Sequence, residues 1–319
     1  MSVLTSNLLL LLTAAIWGFA FVAQRVGMDY VGPFTFNGVR FALGAFSLLP
    51  VMFFFKEKPE DRDNAKHELK SVVGAGVLAG SVLFLGASLQ QIGLVYTTAG
   101  KAAFITCLYI VLVPMIGIFF KQYISLTTWF GSIITIVGLY LLCVKDSFYI
   151  SYGEVLELVG AFFWTVHILV IDRFSRKVDV LKLSFFQFIT CSVLSLITAL
   201  FIETINIETL KDALVPILYG GICSVGIAYT LQVVGQKHAQ PSHAAIILSM
   251  ETVFAAIGGW IILNEKLGVQ ELLGCAIMLV GMLLSQLNNI NKPQSADDEL
   301  ILNVTDSNLD KNRGGIRCD

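Results

Sequence analysis

The chain has 319 residues, of which 56% are hydrophobic and 14% are charged, and its formal net charge at pH 7 is −2. An ordinary soluble domain is about 25% charged, so this composition excludes a water-soluble globular protein and indicates that lipid surrounds the folded chain. The near-zero net charge gives no reason to expect a nucleic-acid partner.

Ten mostly apolar stretches follow one another along the chain, and each is long enough to cross a bilayer as a helix. They cover residues 6–26, 34–55, 71–93, 97–120, 125–144, 152–172, 183–203, 213–235, 242–263 and 268–287. We therefore predict an all-α integral membrane protein with ten transmembrane helices. The stretch 289–319 that follows is polar and low in aromatic residues, which predicts a disordered tail.

Lysine and arginine are distributed unequally between the two sides of these helices. Before the tail, eleven lie on the side that holds both termini and five lie on the other side. Because cytoplasmic loops carry an excess of these residues, we expect both termini, and the tail with them, to face the cytoplasm. The protein is then a multi-pass protein of the cytoplasmic (plasma) membrane.

The chain also repeats itself. At an offset of 142 residues, the segments 89–117 and 231–259 share eight identical positions, one of which pairs Gln90 with Gln232. An offset of 147 pairs Trp17 with Trp164. The chain therefore consists of two five-helix units, which we place at residues 1–146 and 147–288.

An odd number of helices in each unit determines how the two copies are related. The second copy must enter the membrane from the opposite side, which gives inverted repeats, a recurrent plan of secondary transporters. Substrate then binds near the midplane, and rocking of one half against the other gives alternating access. The sequence has no phosphate-binding Gly-x-x-x-x-Gly-Lys-Ser/Thr loop, no nucleophile–base arrangement and no metal-site spacing. We expect no catalytic residues, no cofactor and no metal, and thus not an enzyme.

Glycines recur at helical spacing in three of the predicted spans. They are Gly74, Gly76 and Gly80 in the third span, Gly131 and Gly138 in the fifth, and Gly274 and Gly281 in the tenth. Small residues allow helices to approach closely in lipid. Close packing is therefore the expected role of these glycines, and a hinge is the alternative.

Glu251 lies well inside the apolar run ILSMETVFAAIGGWIIL of the ninth span, close to the middle of the hydrocarbon layer. A charge at that depth is costly unless it faces protein or water. Three uses follow: binding an amino group, carrying a proton, or hydrogen-bonding another helix. Its mate at the offset of 142 is Tyr109, so one half carries a carboxyl where the other carries a hydroxyl. That difference fits an asymmetric substrate.

Three further polar or aromatic positions and one pair of helix starts that the repeat places opposite one another complete the candidates. Arg40 either snorkels to the membrane face or holds a carboxylate in the cavity. Trp17 and Trp164 lie midway along their helices, where they either pack in the core or line a central cavity. Lys101 and His243 begin the fourth and ninth spans, where interfacial anchoring is the first interpretation and gating is the second.

Three segments resemble the EamA family of the drug/metabolite transporter superfamily. They are AAIWGFAFVAQRVGMDYVGPFTFNGVRFALGA, YTTAGKAAFITCLYIVLVP and SMETVFAAIGGWIILNEKLGVQELLGCAIMLVGMLL, and the resemblance spans about residues 6–287. The family's ninth helix usually reads Leu-Glu-Pro-Val-Phe-Ala and ends in Gly-Glu, whereas Thr252 and Asn264 replace the proline and the glycine here. The missing proline leaves the kink of the ninth helix open.

The resemblance implies ten helices, inverted repeats, cytoplasmic termini and outward movement of amino acids or other small metabolites. It also implies a cavity lined by Trp17, Trp164 and Glu251. We therefore expect an exporter of amino acids or related metabolites, with a small-molecule substrate and membrane lipid as partners and protons as a candidate coupling ion. Proton-coupled efflux of lipophilic cations and a non-transporting membrane scaffold are the alternatives, and the choice between monomer and homodimer stays open.

Overall fold

The computed structural model describes residues 3–54, 62–117, 126–143, 150–239 and 241–286, and every regular element within these ranges is helical. The elements are α1 (Val3–Gly27), α2 (Pro33–Phe54), α3 (Arg62–Tyr96), α4 (Ala99–Thr106), α5 (Tyr109–Gly117), α6 (Leu126–Cys143), α7 (Tyr152–Ser175), α8 (Val180–Ile202), α9 (Ile207–Asp212), α10 (Leu214–Leu218), a π-helical segment (Tyr219–Tyr229), α11 (Thr230–Gln236), α12 (Pro241–Leu248), α13 (Glu251–Leu263) and α14 (Val269–Gln286). The predicted boundary between residues 146 and 147 and the predicted tail 289–319 lie outside the described residues.

The described helices confirm the predicted membrane architecture. Eight helical stretches are long and apolar enough to cross a bilayer, and two shorter apolar helices lie at Trp129–Leu142 and Val269–Leu284. Each of the ten coincides with one predicted span. Large apolar side chains cover the outside, with Phe53, Phe54 and Phe201 between 77% and 84% exposed. Such a surface requires lipid rather than water around it.

The fourth and ninth spans are both interrupted, and the two interruptions are equivalent. In the first half α4 ends at Thr106 and α5 begins at Tyr109, whereas in the second half α12 ends at Leu248 and α13 begins at Glu251. Both pairs of positions are 142 residues apart, which is the repeat offset found in the sequence. The chain is therefore built as two inverted five-helix repeats, with a broken helix at the same place in each.

The break in the ninth span is kept although Thr252 stands where the resembled family has proline. The Thr252 hydroxyl donates to the Ser249 carbonyl at 2.8 Å, and the Thr252 amide donates to the same carbonyl at 3.0 Å. The helix then ends at Asn264, the one described residue other than glycine with a positive φ, at 55°. Asparagine tolerates this left-handed conformation, so it fills the place of the family glycine.

Helices α6 and α14, the fifth of each half, pack against one another through glycines. A Cβ atom added at Gly138 would lie 2.5 Å from the backbone nitrogen of Met278, and one added at Gly281 would lie 2.5 Å from that of Thr135. These approaches need residues without a side chain, so the packing interpretation of these glycines agrees with the structure. Gly74 differs, since a Cβ there would meet no atom within 4 Å.

We expect Gly138→Ala to lower the melting temperature of the detergent-solubilised protein. The added methyl group meets backbone that cannot rotate away, and overpacking of this kind costs about 1–3 kcal/mol. Gly74→Ala is the matched control, because its methyl group meets empty space and alanine favours a helix over glycine by about 1 kcal/mol. Thermal unfolding followed by tryptophan fluorescence measures both. Equal melting temperatures for the two variants would contradict the close packing of α6 against α14.

Candidate functional site

A cavity of about 40 Å³ lies between the two halves of the protein. Its walls come from α1, α2, α3, α4, α5, α7, the π-helical segment, α11, α12 and α13. A single water molecule needs about 10–15 Å³, so in this conformation the cavity has room for a few water molecules and not for a metabolite. Five of the candidate residues named from the sequence line it, namely Trp17, Arg40, Tyr109, Trp164 and Glu251, and their role in binding stays a prediction.

Glu251 is the first residue of α13 and is 4% exposed. Its Oε1 accepts hydrogen bonds from the Tyr109 hydroxyl at 3.1 Å and from the Cys107 thiol at 3.3 Å. The same thiol lies 3.8 Å from the Ser249 carbonyl oxygen. Tyr109 and Glu251 are repeat mates, and so are Cys107 and Ser249. The pseudo-two-fold axis therefore passes through this cluster, where the two helix breaks meet.

Arg40 on α2 is buried inside the protein, and the structure does not place its guanidinium group at the membrane face. Its Nε donates to Asn37 Oδ1 at 2.9 Å, and its guanidinium carbon lies 4.9 Å from the ring centroid of Phe41 and 5.6 Å from that of Phe36. Asn37 in turn donates to the carbonyl oxygen of Ala87 at 3.0 Å. Among the described residues no carboxylate forms an ion pair with Arg40. The cavity therefore contains a positive charge without an anionic partner from these residues.

Aromatic rings form part of the wall of the cavity that Glu251 and Arg40 also line. The ring centroids of Trp17 and Tyr229 lie 4.6 Å apart, and Trp164 stacks on Tyr229 at 6.2 Å. The indole nitrogen of Trp17 donates to the Ser224 carbonyl at 3.2 Å. The indole nitrogen of Trp164 is buried and has no hydrogen-bond partner among the described residues. A ligand in the cavity can therefore meet aromatic faces and, besides the guanidinium group of Arg40, the indole N–H of Trp164.

Several residues that line the cavity were not predicted as site residues. Gln90 Nε2 donates to Gln24 Oε1 at 3.1 Å, and the buried Oε1 of Gln232 lacks a partner among the described residues. The sequence carried a signal for Gln90 and Gln232, which are identical repeat mates inside apolar spans, but none for Gln24. Ser224 and Tyr229 carried no such signal, because they reach the cavity from the π-helical segment Tyr219–Tyr229.

This π-helical segment distinguishes the two halves. Its repeat mates, residues 77–87, belong to the continuous α-helix α3. A π-helix changes which side chains face a given neighbour and is often found at functional sites. Here it presents Tyr229 to both cavity tryptophans. The cavity therefore departs from the two-fold symmetry of the repeat on this side as well as at Tyr109 and Glu251.

Lys101 lies at a second, larger cavity that opens on the face opposite the start of α1. This vestibule has a volume of about 820 Å³, and most of its lining residues are polar or charged. The Lys101 ammonium lies 2.7 Å from Glu271 Oε1 and 3.4 Å from Glu154 Oε1. The Glu265 carboxylate accepts from the backbone amide of Ala99 at 2.8 Å, so it joins the end of α13 to the start of α4. The side chain of His243, the other predicted gating residue, lies outside the described residues.

The ion pairs of Lys101 connect three helices that meet beside the vestibule. Glu154, Lys101 and Glu271 each lie in the first turn of a helix, α7, α4 and α14 respectively. The three side chains are mostly buried, so their charges interact with little competition from water. Separation of α4 from α7 requires the pair with Glu154 to break. The arrangement is compatible with the gating alternative for Lys101, and that role stays a prediction.

Comparisons with known proteins agree with this architecture. The profile of the EamA-like transporter family matches residues 4–144 and 151–287. An uncharacterized transporter of Archaeoglobus fulgidus is 31% identical over 287 residues, which cover 89% of this chain and 86% of that protein. The uncharacterized transporter YoaV of Bacillus subtilis is 23% identical over 276 residues, which cover 85% of this chain and 92% of that protein.

A solved crystal structure shares the fold. It superposes with a TM-score of 0.68 at 15% identity and covers 90% of this chain and 99% of its own. Two matched copies of the family profile span nearly all of the ten membrane helices. The chain belongs to the EamA-like transporter family, within the drug/metabolite transporter superfamily, and is therefore a multi-pass membrane transporter and not an enzyme.

Proposed function

We propose that the protein exports amino acids, or closely related small zwitterionic metabolites, by alternating access of the central cavity. The observation that carries this proposal is the buried guanidinium group of Arg40. Removing a cation from water costs several kcal/mol unless an anion and further hydrogen bonds compensate. Among the described residues Arg40 has one neutral hydrogen bond and two aromatic neighbours. A carboxylate that enters the cavity supplies the missing anion and fits the planar fork of the guanidinium group.

Glu251 supplies the negative charge that the ammonium group of a zwitterion requires. It lines the same cavity, and no described lysine or arginine pairs with it. A substrate ammonium group can therefore take the position now shared by the Tyr109 hydroxyl and the Cys107 thiol. Trp17, Trp164 and Tyr229 form an aromatic surface that suits an apolar or aromatic side chain.

The small size of the cavity supports a rocking mechanism. A volume of about 40 Å³ does not admit an amino acid, so the two halves have to separate before substrate binds. The equivalent breaks between α4 and α5 and between α12 and α13 lie beside the cavity. Discontinuous helices at the midplane are the recurrent binding elements of inverted-repeat transporters. In this mechanism the halves exchange between two arrangements around a fixed site.

The proposed orientation has both termini in the cytoplasm, as the charge distribution indicates, and the vestibule outside the cell. In a variant whose only cysteine is Cys318, we expect a membrane-impermeant maleimide to label that thiol only after the cells are permeabilised. A cysteine at Lys211, which is exposed on α9 at the opposite face, is the matched control and is expected to be labelled in intact cells. Labelling of Cys318 in intact cells would reverse the orientation and the direction of export with it.

A metabolite-resolved flux assay tests the proposed substrate class. Proteoliposomes are loaded with a mixture of amino acids, amines, organic acids and sugars, and mass spectrometry follows what leaves through the purified protein. We expect zwitterionic amino acids to leave and the other classes to stay. Selective release of lipophilic cations would instead support proton-coupled drug efflux. No release of any class from vesicles with correctly oriented protein would support a scaffold without transport activity.

A further inference from the structure

Glu157 on α7 is a fully buried carboxyl group that does not line the substrate cavity. Its Oε2 accepts a hydrogen bond from the Thr106 hydroxyl at 3.0 Å. Its Oε1 has no hydrogen-bond partner among the described residues. A backbone approach closes the other side, since a Cβ atom added at Gly93 would lie 2.7 Å from that oxygen. A buried acid with half of its hydrogen-bonding capacity unused is unusual in a folded protein.

The position of Glu157 connects the two cavities. Glu154 lies one helical turn away on α7 and lines the vestibule, whereas Thr106, which donates to Glu157, lines the central cavity. Lys101, one to two turns before Thr106 on α4, pairs with Glu154 at the base of the vestibule. Polar side chains therefore follow one another from the vestibule past Glu157 to the substrate cavity along the contact between α4 and α7.

No described charge compensates Glu157 directly. The titratable or charged groups on α7 and on the helices packed against it, as far as their side chains are described, are Lys70 and Tyr96 on α3, Lys101 on α4, Cys107 after it, Tyr109 on α5, and Tyr152, Glu154, His167, Asp172 and Arg173 on α7. Lys101 is engaged with Glu154 and Glu271, and Tyr109 is engaged with Glu251. The described residues of α11 include no titratable side chain.

We propose that Glu157 is a proton-binding site, separate from the substrate cavity, and that it couples export of the substrate to entry of a proton. A carboxylate with one hydrogen bond is costly in these surroundings, whereas the neutral acid is tolerated. In this conformation the protonated acid is thus held between the vestibule and the small central cavity. The inference rests on the proposed export function.

The transport cycle moves the proton without any further reactant. When α4 separates from α7 at the Lys101–Glu154 pair, water from the vestibule reaches the Glu157 carboxylate, and a hydronium ion transfers its proton to form the neutral acid and leaves as water. When the halves rock the other way, the O–H bond of the acid breaks toward water in the central cavity beside Thr106, and the proton leaves to the cytoplasm. A buried ionisable residue inside a membrane protein commonly marks such a relay.

Glu157→Gln tests the proposal, since glutamine keeps the shape of the side chain and an acceptor for the Thr106 hydroxyl but cannot release a proton in this way. The variant is reconstituted into proteoliposomes loaded with a pH-sensitive dye. Exchange of labelled for unlabelled amino acid at equal pH on both sides reports on substrate binding and rocking alone. Accumulation of amino acid driven by a gradient of one pH unit reports on coupling, and a one-to-one exchange allows up to about tenfold accumulation.

For the wild-type protein we expect both exchange at equal pH and gradient-driven accumulation, with proton movement that depends on substrate. For Glu157→Gln we expect exchange within about twofold of the wild type and no accumulation or substrate-dependent proton movement. Glu208→Gln, at an exposed site on α9, is the matched control and should behave like the wild type.

Three results would overturn the inference, and the first two are distinguishable from failure of the proposed function, which is the third. Gradient-driven accumulation by Glu157→Gln at the wild-type level excludes Glu157 as the coupling site. Wild-type exchange without proton movement leaves amino-acid transport standing but removes the coupling. Wild-type protein that exchanges no amino acid contradicts the proposed function, and the inference with it.

A variant that retains a titratable group keeps the test decisive if Glu157→Gln does not fold. Glu157→Asp shortens the side chain and preserves the acid. If the rate of coupled transport reaches half of its maximum at a different pH from the wild type, the result supports a proton-binding role for this position. Coupled transport with the wild-type pH profile contradicts it.

Discussion

Replacement of Arg40 with methionine is expected to abolish amino-acid exchange while leaving the protein as stable as the wild type or more so. The guanidinium group is buried without an anionic partner from the described residues, so under the proposed function it stabilises the substrate-bound protein and destabilises the empty one. Loss of one partner from a buried hydrogen-bonded charge pair costs about 2–5 kcal/mol, or on the order of 30-fold or more in affinity. Substitution by an apolar residue of similar volume relieves the burial cost of the charge.

Arg40→Lys separates the geometry of the guanidinium group from its charge. Lysine keeps the cation but loses the planar fork, so we expect exchange to fall by about tenfold or more with substrate affinity as the main change. Arg173→Met, at an exposed site near the end of α7, is the matched control for removal of an arginine. Radiolabelled exchange and melting temperature are measured on all variants. An Arg40→Met protein that exchanges at the wild-type rate, or that loses activity only because it unfolds, would contradict the assignment.

Glu251→Gln is expected to fold and to lose most of its exchange activity. Glutamine retains an oxygen that accepts from the Tyr109 hydroxyl, so the contact between the two helix breaks is preserved. It lacks the negative charge that an ammonium group requires, and we expect exchange to fall by at least about tenfold. The effect is measured as the initial rate of exchange at several pH values between about 6 and 8.

The control for this substitution is again Glu208→Gln, which removes a carboxylate from an exposed site. Tyr109→Phe separates the contribution of the hydroxyl group, and we expect a smaller loss than for Glu251→Gln because the charge remains. Wild-type exchange with an unchanged pH profile in Glu251→Gln would end the functional interpretation of Glu251. The carboxyl group would then serve as a neutral hydrogen-bonding link between the halves.

Much of the fold could be predicted from the sequence because lipid imposes a simple rule on helix length. The repeat offset of 142 also relates the two helix breaks, since α4/α5 and α12/α13 are interrupted at positions with that separation. The break beside Thr252 was the exception. The family resemblance linked it to a proline, whereas the Thr252 hydroxyl bonded to the Ser249 carbonyl accompanies the same interruption here.

The cavity residues could be predicted where a polar or amphipathic side chain lies at the midplane, as with Glu251 and Trp164, because such groups must face protein or water. Glu157 was missed because it lies near the start of a predicted span, where carboxylates ordinarily reach water. Tyr229 was missed for a different reason. Its orientation depends on the π-helical segment, which is set by packing between helices and leaves no period in an apolar sequence.

The central claim is that one cavity holds a carboxylate at Arg40 and an ammonium group at Glu251, and a set of matched substrates tests it most directly. Wild-type proteoliposomes loaded with labelled phenylalanine are given external phenylalanine, phenethylamine, 3-phenylpropionate or tetraphenylphosphonium, and release of label is measured. The proposed site predicts rapid exchange with phenylalanine and none with the other three, each of which lacks one or both charged groups of the zwitterion. Equal exchange with phenethylamine or tetraphenylphosphonium would contradict the account, because a carboxylate would then have no role at Arg40.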